Sequence, residues 1–175
     1  MSFNDGEQTT VVELTPNMTG LHALHLTMDD KEGKLTEVSR HVDRARFNTY
    51  GKTEGETNRF CKWVDSLPVG DIVLVGISDT AIAAKRPPGE SLYSAFRKMG
   101  APKHIQRIGY RFPFCFVGVK GAPENSAILL MGKTKHLLRA EATVHLSQEK
   151  NKIPELKEPT TETTDITTAV IVPQQ

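Results

Sequence analysis

Ala127-Ile128-Leu129-Leu130-Met131-Gly132-Lys133-Thr134 fits a permissive form of the phosphate-binding loop. That chemistry needs a flexible turn whose backbone N–H groups converge on phosphate oxygens, between a strand and a helix. Here the intervening residues are bulky and apolar and the residues beyond Thr134 read as strand, so the match carries no nucleotide site. Gly51-Lys52-Thr53 fails as well, because Arg46 stands where the first glycine is needed. The six histidines make no metal set. His22 and His25 fall on opposite faces of a strand, no pair has the i, i+4 spacing of a helical zinc site, and two distant cysteines form no zinc knuckle. They read as surface or strand-edge histidines, so no metal and no cofactor is expected. No serine lies in a G-x-S-x-G elbow and no activated nucleophile or acid–base pair can be assigned, so no catalytic residue is named and the chain is not expected to be an enzyme. Lys103, His104, Arg107 and Arg111 form one basic cluster, and Lys133, Lys135, His136 and Arg139 another. Without interleaved aromatics these read as solvated faces.

The elements that would position such residues can be read from apolar periodicity. Leu24, Leu26 and Met28 alternate with His25 and Thr27, the pattern of a strand with one wet face. Asp29 to Gly33 reads as a turn, with Leu35 to Val38 returning as hairpin partner. Thr53 and Glu56 have capping-box spacing. Beyond them Phe60, Cys61, Val64 and Leu67 share a helical face that Pro68 and Gly70 close. Ile72 to Ile77 is apolar on both faces and belongs inside a sheet. A second helix from Glu90 buries Leu92, Ala95, Phe96 and Met99 and stops at Gly100. Phe114 to Val119 is a further interior strand, and Leu138 to Leu146 alternates cleanly. The fold class is therefore α/β, with α+β as the alternative: one domain, a compact mixed sheet or sandwich lined by short helices.

At 175 residues the chain is one domain with some slack, and 38 % apolar residues suffice for a core. Lys plus Arg (22) nearly balances Asp plus Glu (21), which argues against nucleic acid or an anionic membrane as partner. No apolar run approaches the ~20 residues of a membrane-spanning helix, so no membrane insertion is expected. The polar opening MSFNDGEQTT is no signal peptide, which leaves a cytosolic protein or a segment of a larger one. Cys61 and Cys115 lie in apolar stretches, and both a bridge and buried free thiols stay open. Asn17-Met18-Thr19 is a glycosylation sequon, a weak pointer to the secretory route. Residues 147–175 are rich in Thr, Pro and charge, with six threonines between Thr160 and Thr168. They read as a disordered tail or linker, residues 1–15 as a flexible segment, and 16–146 as the folded unit.

Several segments in order carry a resemblance. They are Gly20 to Leu26, Asp29, Asp30 and Gly33, Arg46-Phe47-Asn48-Thr49-Tyr50, Ser66-Leu67-Pro68-Val69-Gly70-Asp71 leading into Ile72 to Val75, and Asp79. Phe96-Arg97-Lys98-Met99-Gly100, Ile108-Gly109-Tyr110-Arg111 and Phe116-Val117-Gly118-Val119-Lys120-Gly121 complete the series. Together they resemble the interleukin-like EMT inducer (PANDER-like) domain, found in small secreted cytokine-like proteins, in the stem of a Golgi N-acetylglucosaminyltransferase and in cell-surface hyaluronan-degrading proteins. The resemblance implies a sandwich lined by helices and a location outside the cell or in the secretory lumen. It also implies two alternative functions. One is a carbohydrate-binding module, with a glycan or glycoprotein as partner: Asp79 and Arg111 match the family's sugar-holding acid and arginine, and Tyr110 replaces its tryptophan. A carboxylate accepts from vicinal hydroxyls, a guanidinium fork donates to ring or acetyl oxygens, and an aromatic covers the apolar face. The other is a signalling or adhesion ligand read by a cell-surface receptor, for which Phe112-Pro113-Phe114 would supply an apolar patch. The family's Phe-Asp-Thr-Tyr is Phe47-Asn48-Thr49-Tyr50 here, so a carboxylate is missing.

Overall fold

A computed structural model describes residues 2–4, 9–11, 19–29, 34–37, 46–51, 53–77, 80–82, 89–105, 107–112, 114–131, 140–145, 155–157 and 167–171. In chain order the strands are β1 (Ser2–Asn4), β2 (Thr9–Val11), β3 (Leu21–Asp29), β4 (Lys34–Glu37) and β5 (Arg46–Phe47). Helix α1 (Thr53–Ser66), β6 (Ile72–Ile77), α2 (Glu90–Arg97) and β7 (Phe114–Val119) come next. β8 (Ile128–Met131), β9 (Ala140–His145), β10 (Glu155–Lys157) and β11 (Thr167–Ile171) complete the chain.

The first sheet runs β4-β3-β6-β7-β8, with β5 beside β4 on the same edge of β3. Its register puts Ala23, Val75, Phe116 and Leu129 in one row and Leu24, Leu74, Val117 and Ile128 in the next. Because side chains alternate across a strand, adjacent rows serve opposite faces. Leu21, Ala23, Val73, Val75, Ile77, Phe114 and Phe116 face the helices and join Phe60, Val64, Leu92 and Phe96 in one core. Phe60 and Phe96 lie 5.5 Å apart between centroids, and Phe96 lies 4.9 Å from Phe116 and 5.4 Å from Phe114, distances at which aromatic pairs attract. Gly118 carries no Cβ because one would lie 2.4 Å from the Met99 carbonyl oxygen, so it admits the close of α2 onto the sheet.

The opposite face is just as apolar. Leu24, Leu74, Cys115 and Val117 are buried there. The second sheet, in order β10-β9-β11-β1-β2, supplies cover, with β11 approaching β6 and β9 approaching β7 and β8. The α/β class and the helix-lined sandwich hold. In place of a mixed sheet, every pairing among the described residues is antiparallel. The reason is visible between β6 and β7: Ile77 partners Phe114, so the connection carrying α2 leaves and returns at one end of the sheet.

Two readings of the sequence change. The segments assigned to a loose N-terminus (1–15) and a disordered tail (147–175) contain β1, β2, β10 and β11, and β11 lies between β9 and β1. Composition weighed Thr as polar, whereas Thr167–Ile171 is a run of residues with high strand propensity. Two of the histidines read as surface or strand-edge groups are buried: His22 is 1 % and His25 7 % exposed. From Leu21 to Leu26 β3 has no wet face, because it is covered on both sides.

Candidate functional site

The two ends of β6 differ in chemistry. At its C-terminal end several loops meet in a rim. Gly20 has φ +107°, and a Cβ there would lie 2.2 Å from the Phe47 carbonyl oxygen, so only glycine lets the start of β3 approach β5. The Gly20 N–H donates to the Thr80 carbonyl at 2.8 Å, and the buried Thr49 hydroxyl donates to the Ala81 carbonyl at 2.7 Å. Asn48 Oδ1 accepts from the Thr19 hydroxyl at 3.2 Å and from the Gly51 N–H at 3.3 Å. An amide oxygen thus fills the acceptor position where the family pattern has a carboxylate. The Thr53–Glu56 spacing does mark a helix start, yet Glu56 reaches further back, its Oε2 accepting the Asn48 N–H at 2.8 Å.

Thr80 is the hub. Its hydroxyl donates to the Ile82 carbonyl at 2.9 Å while its oxygen accepts from the Ile82 N–H at 3.2 Å and the Arg111 N–H at 3.4 Å. Arg111 has φ +57°, the left-handed region, in a turn closed by the Phe112 N–H on the Gly109 carbonyl at 3.3 Å. Gly109 leaves room for the Phe112 ring, which would have to move to admit a Cβ there. The Arg111 guanidinium lies 5.4 Å from the Tyr110 ring centroid, within cation–π range. Tyr110 and Tyr50 are exposed, at 41 % and 39 %. The rim therefore presents the exposed Arg111 side chain and two phenol rings at the surface. Of the residues singled out from sequence, Arg111 and Tyr110 are together here, and Asp79 and Asn17 lie outside the described residues. Thr80 carries no spacing signal in the sequence, and Asn48 and Thr49 enter there only as part of the Phe47–Tyr50 segment of the resemblance, with no role of their own.

At the N-terminal end of β6 the polar groups are turned inward. His25 Nε2 lies 2.5 Å from Asp71 Oδ2, and the Thr27 hydroxyl donates to Asp71 Oδ1 at 3.1 Å. The Asp71 carbonyl accepts the Lys120 N–H at 2.8 Å, and the Trp63 ring meets His25 edge-on at 6.3 Å. This pair is buried and internally satisfied.

Neither cysteine is in a disulfide. Cys115 is fully buried; Cys61 is half-buried, its Sγ 3.3 Å from the Ser91 carbonyl oxygen. Burial, with a smaller contribution from Asp65, pushes the Cys61 thiol above its usual range and keeps it protonated. Among the described residues no three His, Cys, Asp or Glu side chains come together as a metal site, and no helix is long and apolar enough to cross a membrane. Phe114 is fully buried and Phe112 half-buried, while Pro113 lies outside the described residues.

Residues 25–122 match the profile of the family described as interleukin-like EMT inducer. The chain is 32 % identical over 85 residues to the cell migration-inducing and hyaluronan-binding protein of Mus musculus, covering 49 % of this chain and 6 % of that protein. With the Homo sapiens protein of the same name it is 31 % identical over 99 residues, covering 57 % of this chain and again 6 % of the relative. The chain thus spans a small fraction of the length of the curated relatives it matches. It belongs to the interleukin-like EMT inducer family.

Proposed function

We propose that this chain is a non-catalytic carbohydrate-binding module that recognises a terminal sugar, such as N-acetylglucosamine, through Asp79, Arg111 and Tyr110, the last two carried by the rim, and that it works outside the cell or in the secretory lumen. The observation carrying this reading is the Thr80 hydroxyl accepting the Arg111 N–H at 3.4 Å. It supports the reading because it ties the side chain of Thr80, one residue past Asp79 in sequence, to the backbone of Arg111, while the exposed Tyr110 ring lies beside the guanidinium. A pyranose needs these groups together: a donor fork for its oxygens, an acceptor for its hydroxyls and a flat apolar face. The curated relatives are named for hyaluronan binding, which favours a saccharide partner. No acid–base or nucleophile role is assigned to any rim residue, so the module holds a sugar without transforming it.

The receptor-ligand alternative draws on the family's interleukin-like description. Its sequence cue is weakened by burial, since Phe114 has no surface to offer a receptor. A glycan array tests the primary reading. Wild type should bind a subset of glycans with terminal N-acetylglucosamine. Arg111→Ala should lose about ten-fold or more in affinity, the effect of removing charge-assisted hydrogen bonds of about 1.5–3 kcal/mol. Equally blank arrays for both proteins would remove the sugar site and leave the receptor reading.

A further inference from the structure

We propose that the loop between α2 and β7 is a cationic lip that makes the Arg111 rim selective for saccharide chains bearing carboxylate or sulfate groups; this rests on the sugar-binding reading of that rim. Acids and bases balance over the whole chain, yet no Asp or Glu occurs from Ser91 to Pro123. Arg97, Lys98, Lys103, Arg107, Arg111 and Lys120 all fall in that stretch. Its inner members are matched by acids from elsewhere: Arg97 pairs with Glu90, and Asp65 takes Lys98 at 2.5 Å and Lys120 at 3.9 Å. Lys103, His104 and Arg107 are exposed, and among the described residues no carboxylate lies within ion-pair distance of them. The neighbouring acid, Glu124, accepts the Lys103 backbone N–H at 2.8 Å.

The loop is fixed in place. Arg97 Nη1 donates to the Lys103 carbonyl at 3.4 Å, the Ile108 N–H donates to the Tyr93 hydroxyl at 3.2 Å, and the Arg107 guanidinium lies 5.9 Å from the Tyr93 ring centroid. Tyr93 and Arg97 are one helical turn apart, so the loop runs along α2 and leads directly into Tyr110 and Arg111. Cations without carboxylate partners among the described residues are attractive to fixed negative charge, and Arg107 precedes the exposed Tyr110 ring by three residues. A duplex nucleic acid would demand many more cations than this lip supplies.

The test is biolayer interferometry on the full chain with three probes: a heparin-derived hexasaccharide, an uncharged N-acetylglucosamine tetramer and a poly-glutamate peptide. Wild type should favour the hexasaccharide over the tetramer by about ten-fold at low salt, the sum of a few exposed ion pairs. That preference should shrink as added salt shortens the Debye length to a few ångströms. Lys103→Glu with Arg107→Glu should erase the preference while tetramer binding stays unchanged, and the lost Arg107–Tyr93 contact should lower the melting temperature only slightly. Arg111→Ala should weaken both saccharides. An unchanged preference in the double variant overturns the lip, as does poly-glutamate binding as tightly as the hexasaccharide. Tetramer binding without any acidic preference overturns the lip and leaves the sugar site standing. A tetramer that fails to bind while the hexasaccharide binds through Lys103 and Arg107 overturns the sugar site and the proposal built on it.

Discussion

The two ends of β6, roughly 17 Å apart at ~3.4 Å per residue, use the same kinds of residue to opposite effect. At one end Asp71, His25 and Thr27 satisfy each other in a buried cluster. At the other, Thr80 and Thr49 spend their side chains on backbone groups and Asn48 on the Gly51 N–H and the Thr19 hydroxyl, and Arg111, Tyr110 and Tyr50 stand at the surface. A polar group that completes its hydrogen bonds inside the fold contributes to specificity of packing. A polar group held rigid and left facing water is available to a ligand. The contrast separates a structural end from the end proposed to bind, although both carry segments of the family resemblance.

The largest expected effect concerns the cover over the sheet on which both ends are built. Removing residues 147–175 takes away β10 and β11 and uncovers the face carrying Leu24, Leu74 and Val117. Each such side chain is worth about 1.5–3 kcal/mol when fully buried. The truncated chain should therefore lose its cooperative thermal transition in calorimetry. Retention of the wild-type melting temperature would show that β11 contributes no cover.

Next in size is the structural end. Asp71→Ala leaves His25 and Thr27 without their shared acceptor and should cost about 3 kcal/mol in urea unfolding, as when one partner of a buried pair is removed. Sugar binding should be unchanged, measured at a temperature where the variant is folded. A loss of binding with full stability would place function at the wrong end.

Thr80→Val keeps shape but removes the hydroxyl on which Ile82 and Arg111 converge. It should cost about 1 kcal/mol per lost bond and weaken sugar binding, whereas Thr80→Ser should restore both. Equal affinity in Val and Ser variants would make the hub a matter of folding alone.

The smallest effect is electrostatic and lies beside the structural end. The Lys98 hydrogen bond, then the charges of Lys98 and Lys120, hold the Asp65 carboxyl below its ordinary range. A depressed folded-state value stabilises the fold above the unfolded-state carboxylate range, and that contribution disappears as pH falls through the folded-state value. Asp65 is exposed, so solvent screening leaves only a slight effect. Asp65→Asn should lower the melting temperature slightly at neutral pH and not at all at strongly acid pH.

The sequence was most legible where packing dictates it. Ile72–Ile77, Phe114–Val119 and both helices were marked by their apolar periods. The terminal strands were hidden because their composition resembles a linker, and their reason for ordering is an apolar face elsewhere in the chain. His22 and His25 misled because alternation alone gives β3 a wet face, and no local signal reveals a covering sheet. Arg111 and Tyr110 were legible only through resemblance to a family. Thr80 was legible in neither way, since its role depends on Arg111 arriving from 31 residues away.

Sugar bound at the rim, and not at the buried end, is the point on which the contrast between the two ends turns. Titrating the isotope-labelled protein with N-acetylglucosamine, and tracking backbone amide resonances, addresses it directly. The predicted result is saturable shifts at Thr80, Tyr110 and Arg111, with His25, Thr27 and Asp71 unmoved. Shifts confined to the His25–Asp71 end, or none anywhere at millimolar sugar, would contradict it.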